Sequence, residues 1–158
     1  MKIIFLDIDG VLNSDTYLKS RPDNSADNRI DLSRVKLLAD LVKSTNAKIV
    51  LTSTWRVDWN MIPLLCGNFG KYINECFSAY GISIFDKTPC ISLLNGRRKE
   101  IVTWLSRHRG DVESFVILDD MDFGWEELHS SVVITNPQGY GLEEEHVQKA
   151  IELLNKNN

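Results

Sequence analysis

The sequence lacks the features that mark membrane proteins, secreted proteins and disulfide-stapled proteins. No apolar run approaches the roughly 18 residues of a membrane-spanning helix, and the N-terminus has a strand-like pattern instead of a signal peptide. Only three cysteines are present, Cys66, Cys76 and Cys90, and their spacings match no zinc or redox motif. We therefore expect a soluble, cytoplasmic protein with reduced thiols and no membrane partner.

An excess of positive charge is also absent. The chain carries 18 basic and 22 acidic residues, a net charge of -4, so no global basic field attracts nucleic acid, although this total says nothing against a local basic patch. The motif Gly-x-x-x-x-Gly-Lys-Ser/Thr does not occur, which excludes a P-loop enzyme. No repeat, low-complexity tract or linker divides the 158 residues, and we expect one domain over residues 1–158.

Short apolar runs alternate with amphipathic segments along the chain. The runs predict strands at 2–8, 47–52, 82–85, 115–118 and 132–135. Helical periodicity predicts a helix over 32–42 with Asp31 as its N-cap, a second over 98–108 and a third from about residue 143. The polar segment 13–29 is expected to be a loop or small hairpin above the end of the first strand. This alternation predicts an α/β fold around a parallel sheet.

Two acids, Asp7 and Asp9, stand at the end of the first predicted strand. If the extended geometry persists to residue 9, both side chains lie on one face and point into the same small volume. At a separation of ~4 Å and an effective dielectric constant of about 20, the two anions repel by about 4 kcal/mol. We therefore expect a cation or a shared proton between them. The alternative is a strand that ends in a polar turn, with Asp-Gly making the bend.

Hydroxyl, acidic and basic residues that could bind a metal ion or a phosphoryl group also lie near the ends of other predicted strands. The ends of parallel strands meet at one edge of a sheet, where ligands bind. The residues concerned are Thr52, Ser53 and Arg56 after the second strand, Asp119 and Asp120 after the fourth, and Arg97, Arg98 and Lys99 at the start of the helix before it. Each group has an ordinary alternative: a helix N-cap at 52–54, a polar strand end at 119–120, and a solvated charge run at 97–99. Their coincidence at one edge favours a site for a hard metal ion and a phosphoryl group.

The chain resembles the haloacid dehalogenase (HAD) superfamily of phosphohydrolases. The resemblance lies in residues 7–12 (DIDGVL), in Thr52 as the second motif, in a base near Arg97 as the third, and in Asp119-Asp120 as the fourth. In finer detail the chain is similar to small HAD proteins that include HAD domains of RNA-repair enzymes. The resemblance implies a Rossmann-like parallel sheet with helices on both faces. The short intervals between the motifs leave no room for a large cap.

The resemblance also implies roles for individual residues. It makes Asp7 the nucleophile and Asp9 the general acid and base, with Mg²⁺ held by Asp7, the backbone carbonyl of Asp9, and Asp120. Thr52 and Ser53, with Arg97, are expected to bind the phosphate. Members of the superfamily usually have a lysine in the third motif, so Arg97, Arg98 and Lys99 compete for this role, and we favour Arg97. The supporting residues are Asp119, Arg56 and Lys99.

These roles predict a phosphatase that acts through an aspartyl phosphate. A capless site is open to a nucleotide, a nucleic-acid end or a small phosphoester, and we expect no obligate protein partner. The aromatic residues after the second motif could form a wall for a base or belong to the core, and the core is favoured. They are Trp55, Trp59, Phe69 and Tyr72. The alternative is a non-enzymatic binding domain, which has no chemical need for both Asp7 and Asp9.

Overall fold

The computed structural model describes residues 1–21, 29–91 and 96–156. Five parallel strands form one sheet in the order β3-β2-β1-β4-β5. The strands are β1 (Lys2–Leu6), β2 (Lys48–Leu51), β3 (Ile84–Lys87), β4 (Ser114–Asp119) and β5 (Val132–Ile134). The predicted α/β fold is confirmed, and all five predicted strands overlap an observed one. The main difference is that β1 ends at Leu6, two residues before its predicted end.

Both faces of the sheet are apolar, which explains why its strands read as continuous apolar runs. Side chains such as Ile4 and Leu6 of β1 belong to the larger core cluster, whereas Ile3 and Phe5 belong to the smaller one on the opposite face. All four are fully buried. The alternation of side chains along each strand therefore supplies both halves of the core.

Helices cover both faces, as the sequence predicts. The helices are α1 (Asp15–Ser20), α2 (Leu32–Thr45), α3 (Asn68–Ser78), α4 (Arg97–Arg107) and α5 (Glu144–Asn155). Apolar residues of α2, α3 and α5 join the larger cluster, and those of α4 join the smaller one. There Trp104 of α4 meets Phe5 edge to face, with ring centroids 5.4 Å apart. Asp31 caps α2, as predicted, by accepting a hydrogen bond from the Ser33 backbone N–H.

Some local structure was not predicted. Part of the segment 13–29, expected to be a loop or hairpin, is the helix α1, which Ser14 caps, and residues 22–28 lie outside the described residues. Two short 3-10 helices, Thr54–Val57 and Pro63–Leu65, precede α3 between β2 and β3. None of the helices in the described ranges is long and apolar enough to cross a membrane.

Candidate active site

Three carboxylates meet at the carboxyl edge of the sheet. Asp7 follows β1, Asp119 is the last residue of β4, and Asp120 comes next. Because β1 and β4 are neighbours with Leu6 opposite Leu118, the two chains deliver their acids side by side. One carboxylate oxygen from each of Asp7, Asp119 and Asp120 lies within 4.8 Å of the others. We call these three residues the carboxylate cluster.

Arg97 lies inside the carboxylate cluster. It is the first residue of α4, and its Nη1 is 2.9 Å from Oδ2 of Asp7 and 2.6 Å from Oδ2 of Asp119. Of the three basic residues that compete for the third motif, Arg98 pairs with Glu126 and Glu127 at the surface. Lys99 is exposed. The structure thus brings Arg97 to the acids and leaves its two neighbours outside.

Burial and the charge of Asp7 make Asp119 and Asp120 reluctant to ionise. Burial, followed by the charge of Asp7, raises the pKa of Asp119, and Arg97 opposes this rise. The same two causes, in the same order, raise the pKa of Asp120. Burial works against the charge of Arg97, but Asp7 and Asp119 outweigh it and raise the pKa of the guanidinium. Arg97 alone therefore does not offset the cost of ionising Asp119 and Asp120 beside Asp7.

Thr52 lies fully buried at the end of β2. Its backbone N–H donates to the carbonyl of Leu6, at 2.8 Å, which places it beside Asp7. Its hydroxyl has no hydrogen-bond partner among the described residues. A buried hydroxyl without a partner is costly and is a sign of a missing ligand or water. Thr52 therefore has a free donor close to the carboxylate cluster.

Ser53 and Arg56 have structural partners. The Ser53 hydroxyl accepts from the Trp55 backbone N–H at 3.3 Å and caps the 3-10 helix, the alternative that the sequence left open. Arg56 is buried, and its Nη2 lies 2.8 Å from Oε1 of Glu100. Its Nη1 donates to the carbonyls of Thr52 and Ser53, at 2.7 and 2.8 Å. Arg56 thus holds the turn that positions Thr52.

Asp9 is held apart from the carboxylate cluster. The strand does not continue to residue 9, contrary to the extended geometry considered from the sequence, and the Asp9 side chain is exposed. Its Oδ1 accepts from Nδ2 of Asn13, and its Oδ2 accepts from Nε1 of Trp55, both at 3.0 Å. Two neutral donors thus fix the carboxylate at the mouth of the site. Asn13 was not identified as a site residue from the sequence, although it lies four residues after Asp9, and Trp55 was considered there only as part of an aromatic wall or of the core.

The first motif requires a glycine at position 10 for steric reasons. Gly10 has a φ of +72°, and a Cβ on it would lie 2.4 Å from Cγ of Asp120. Only glycine meets both demands without strain or a clash. The bend at Gly10 turns the chain away from the strand and lets Asp120 approach the backbone of the first motif.

The carboxylate cluster fits Mg²⁺. The ion prefers hard oxygen ligands and is usually bound by one or two carboxylates with further oxygens from water and phosphate. Asp7 and Asp120 provide two such carboxylates, while Asp119 is fully buried and hydrogen-bonded to Arg97. Burial, and after it the charge of Asp7, raises the pKa values of Asp119 and Asp120, and a divalent cation bound between the acids would oppose both effects.

An aromatic pair and two arginines border Asp9. The rings of Trp55 and Phe69 are 4.9 Å apart between centroids, and the guanidinium of Arg29 lies 5.8 Å from the Phe69 centroid. A cavity of about 240 Å³ beside them is lined by Asp9, Asn13, Leu18, Arg21 and Arg29. Neither arginine was predicted to be a site residue, because its proximity to Asp9 does not follow from spacing along the sequence.

The other two aromatic residues belong to the core, as the sequence favoured. Trp59 is 4% exposed and belongs to the larger cluster, against which Tyr72 packs. The indole of Trp59 donates to Asn74 at 3.1 Å. The Tyr72 hydroxyl accepts from the backbone N–H of Ile30 at 3.2 Å. Of these four aromatic residues, only Trp55 and Phe69 therefore lie at the border of Asp9.

Comparison with known proteins agrees with this geometry. The family model described as the HAD domain in Swiss Army Knife RNA repair proteins matches residues 3–147, a span that contains every site residue named above. Searches of curated proteins and of solved structures returned no significant match. The chain belongs to the family of HAD domains found in Swiss Army Knife RNA repair proteins.

Proposed function

We propose that the protein is a Mg²⁺-dependent phosphomonoester hydrolase that acts through an aspartyl phosphate on Asp7. The observation that carries the proposal is the carboxylate cluster itself. Three carboxylate oxygens lie within 4.8 Å of one another around Arg97. Three acids grouped around one arginine at the edge of a parallel sheet support a role with a divalent cation and an anionic substrate.

The nucleophile must attack a group that is already anionic. Asp7 follows β1, and its Oδ1 accepts the Ile8 backbone N–H at 2.9 Å, so one oxygen is held in place. Mg²⁺ held by Asp7, Asp120 and the backbone carbonyl of Asp9 would supply charge neutralisation for both partners. Arg97 adds a fixed positive charge beside Asp7, and the buried hydroxyl of Thr52 is a free donor for a phosphoryl oxygen.

Asp9 is the residue placed to move protons. In the first step Asp7 forms a bond to phosphorus while the ester P–O bond breaks, and Asp9 gives its proton to the leaving oxygen. In the second step Asp9 takes a proton from the attacking water, whose oxygen bonds to phosphorus while the bond between phosphorus and Asp7 breaks. Inorganic phosphate leaves, and the Asp7 carboxylate is restored. Trp55 and Asn13 hold the two Asp9 oxygens at the mouth, on the side where a leaving group would depart.

The substrate expected for this chemistry is a nucleotide, a nucleic-acid end or another small phosphoester. The family description, which refers to RNA repair proteins, supports the first two. A non-enzymatic binding domain is the second candidate. The pairing of a clustered Asp7 with a separately held Asp9 argues against it, because ligand binding alone requires no proton carrier at the mouth.

The proposal is tested by phosphate release from 4-nitrophenyl phosphate and from mononucleotides. We expect turnover with Mg²⁺ that stops in excess chelator and returns when Mg²⁺ is restored. Asp7→Asn is the matched inactive control, since it keeps the side-chain volume and removes the nucleophile. Equal turnover in chelator would reject the metal role, and binding of phosphate esters without turnover of any of them would favour the binding domain.

A further inference from the structure

We infer that the chain has a second substrate-binding region beside Asp9, the arginine-aromatic subsite, formed by Arg21, Arg29, Trp55 and Phe69. The inference rests on the proposed function and extends it by naming the leaving group, a single-stranded oligonucleotide. The terminal phosphate enters the carboxylate cluster. A base then stacks on the aromatic pair, and the next phosphate of the strand lies against the arginines.

The position of this subsite follows from Trp55. Its indole N–H donates to Oδ2 of Asp9 at 3.0 Å, while its ring lies 4.9 Å from that of Phe69. Any group that contacts this aromatic pair is therefore next to the carboxylate that serves the leaving oxygen. Asp9 also lines the cavity that contains both arginines. The subsite and the proton carrier are parts of one surface.

Arginine side chains line the cavity beside Asp9, although the chain as a whole is acidic. The protein carries a net charge of -4, yet the described residues of this cavity wall include two arginines, Arg21 and Arg29, beside Asp9. A guanidinium is the side chain best suited to bind phosphate through paired hydrogen bonds. The guanidinium of Arg29 in this wall therefore fits a phosphodiester that is distinct from the phosphate at the carboxylate cluster.

The aromatic pair offers a face to a base. Phe69 lies in the first turn of α3 and is 38% exposed. Its ring is therefore not part of the buried core. Its ring is held in place by Trp55 on one side and by the guanidinium of Arg29. Aromatic rings interleaved with arginines are the usual platform for single-stranded nucleic acid, because every base has a stacking face.

The size of the cavity favours part of a strand over a whole small molecule. Its volume of about 240 Å³ is below the roughly 300–1,000 Å³ of pockets that enclose small ligands. It can hold a phosphate with part of a sugar, while the base lies outside on the aromatic pair. A sugar phosphate would leave the aromatic pair uncovered, and a phosphopeptide would offer it no base.

The substrate test compares kcat/KM for a phosphorylated hexanucleotide with that for the matching mononucleotide, using 5′-phosphates in one series and 3′-phosphates in another. In one of the two series we expect the hexanucleotide to be preferred by at least about tenfold, the order of one stacked base. Arg29→Ala and Phe69→Ala should each reduce that ratio severalfold, and Phe69→Trp should restore it. Arg109→Ala, an exposed arginine beyond the far end of α4, should leave it unchanged.

Salt dependence separates the two halves of the subsite. Arg29→Ala should make the slope of log affinity against log salt shallower by about 0.7, the value for one phosphate of a single strand, whereas Phe69→Ala should leave the slope as it is. Ratios near one in both series, or an equal effect of Arg109→Ala, would overturn the inference while the proposed function stands.

A binding measurement keeps the inference testable if the protein turns nothing over. Fluorescence anisotropy of labelled phosphorylated hexanucleotides in chelator reports binding without hydrolysis. If the wild type hydrolyses no ester but binds these probes in a manner that depends on Arg29 and Phe69, the proposed function fails and the subsite stands as a binding site. A phosphopeptide of equal charge that binds as tightly would overturn the choice of nucleic acid.

Discussion

The indole N–H of Trp55 donates to Oδ2 of Asp9 at 3.0 Å and joins the segment after β2 to the turn after β1. Asn13 holds the other oxygen of the same carboxylate. Asp9 consequently has one fixed orientation at the mouth of the site, although β1 ends three residues earlier. The position of the proposed general acid thus depends on a side chain from another part of the chain.

Loss of this hydrogen bond should slow catalysis more than it unfolds the protein. Trp55→Phe keeps a ring beside Phe69 but removes the donor to Asp9. A hydrogen bond to a charged group is worth about 1.5–3 kcal/mol, so we expect kcat to fall by about tenfold or more. Trp59→Phe is the matched control, because its indole donates to Asn74 in the core. A larger loss of kcat in Trp59→Phe than in Trp55→Phe would contradict this role.

Arg97 should be needed for both stability and turnover. Arg97→Ala leaves Asp7 and Asp119 buried together without a cation, a change that typically costs about 3–5 kcal/mol. We expect a lower melting temperature that Mg²⁺ partly restores, together with a loss of about 10²–10³ in kcat, as for other transition-state donors. The exposed Lys99 provides the control. If Lys99→Ala has the greater effect on phosphate binding, the third motif must be reassigned to Lys99.

Arg56 should be a structural residue. Its buried ion pair with Glu100 has an N–O distance of 2.8 Å, and breaking such a pair from one side costs about 3–5 kcal/mol. Urea unfolding should therefore show a large loss of stability for Arg56→Ala and a smaller one for Arg56→Met combined with Glu100→Leu. Arg98→Ala removes only surface ion pairs, those with Glu126 and Glu127, and should shift the unfolding midpoint little. Stability of Arg56→Ala equal to that of Arg98→Ala would refute the structural role.

Gly10 should be required by Asp120 in particular. Gly10→Ala adds a Cβ that would lie 2.4 Å from Cγ of Asp120, whereas Gly81 has nearly the same φ, +73°, with no atom within 4 Å of the added Cβ. Both substitutions carry the strain of a left-handed conformation, about 1–2 kcal/mol. Only Gly10→Ala should also abolish the rise in melting temperature on adding Mg²⁺. Retention of the full Mg²⁺ effect would show that the close approach is unimportant.

Much of the architecture could be predicted because it depends on local pattern. The apolar runs identify the five strands, and the position of Asp31 before a helical stripe identifies the start of α2. Which of the three basic residues at 97–99 contacts the acids could not be predicted, because the orientation of α4 decides it. The helix α1 was missed because it buries no residue among those described, so its sequence carries no apolar stripe.

The residues of the site could be predicted from the sequence, but most of their hydrogen-bond and ion-pair partners could not. Asp7, Thr52 and Asp120 follow strands that can be read from the sequence. The contact between Trp55 and Asp9 and that between Arg56 and Glu100 join distant segments, and neither follows from spacing along the chain. The sequence alone made Arg56 a candidate cation for the phosphate, and only its burial against Glu100 shows another use.

The most direct test of the central claim is capture of the phosphorylated enzyme. The protein is mixed with Mg²⁺ and a radiolabelled phosphate ester, quenched rapidly in acid, digested and examined by peptide mass spectrometry. We predict phosphate on Asp7, its accumulation in Asp9→Asn, which cannot activate water for the second step, and no labelled protein in Asp7→Asn. Phosphate on another residue, or wild-type turnover by Asp7→Asn, would contradict the account.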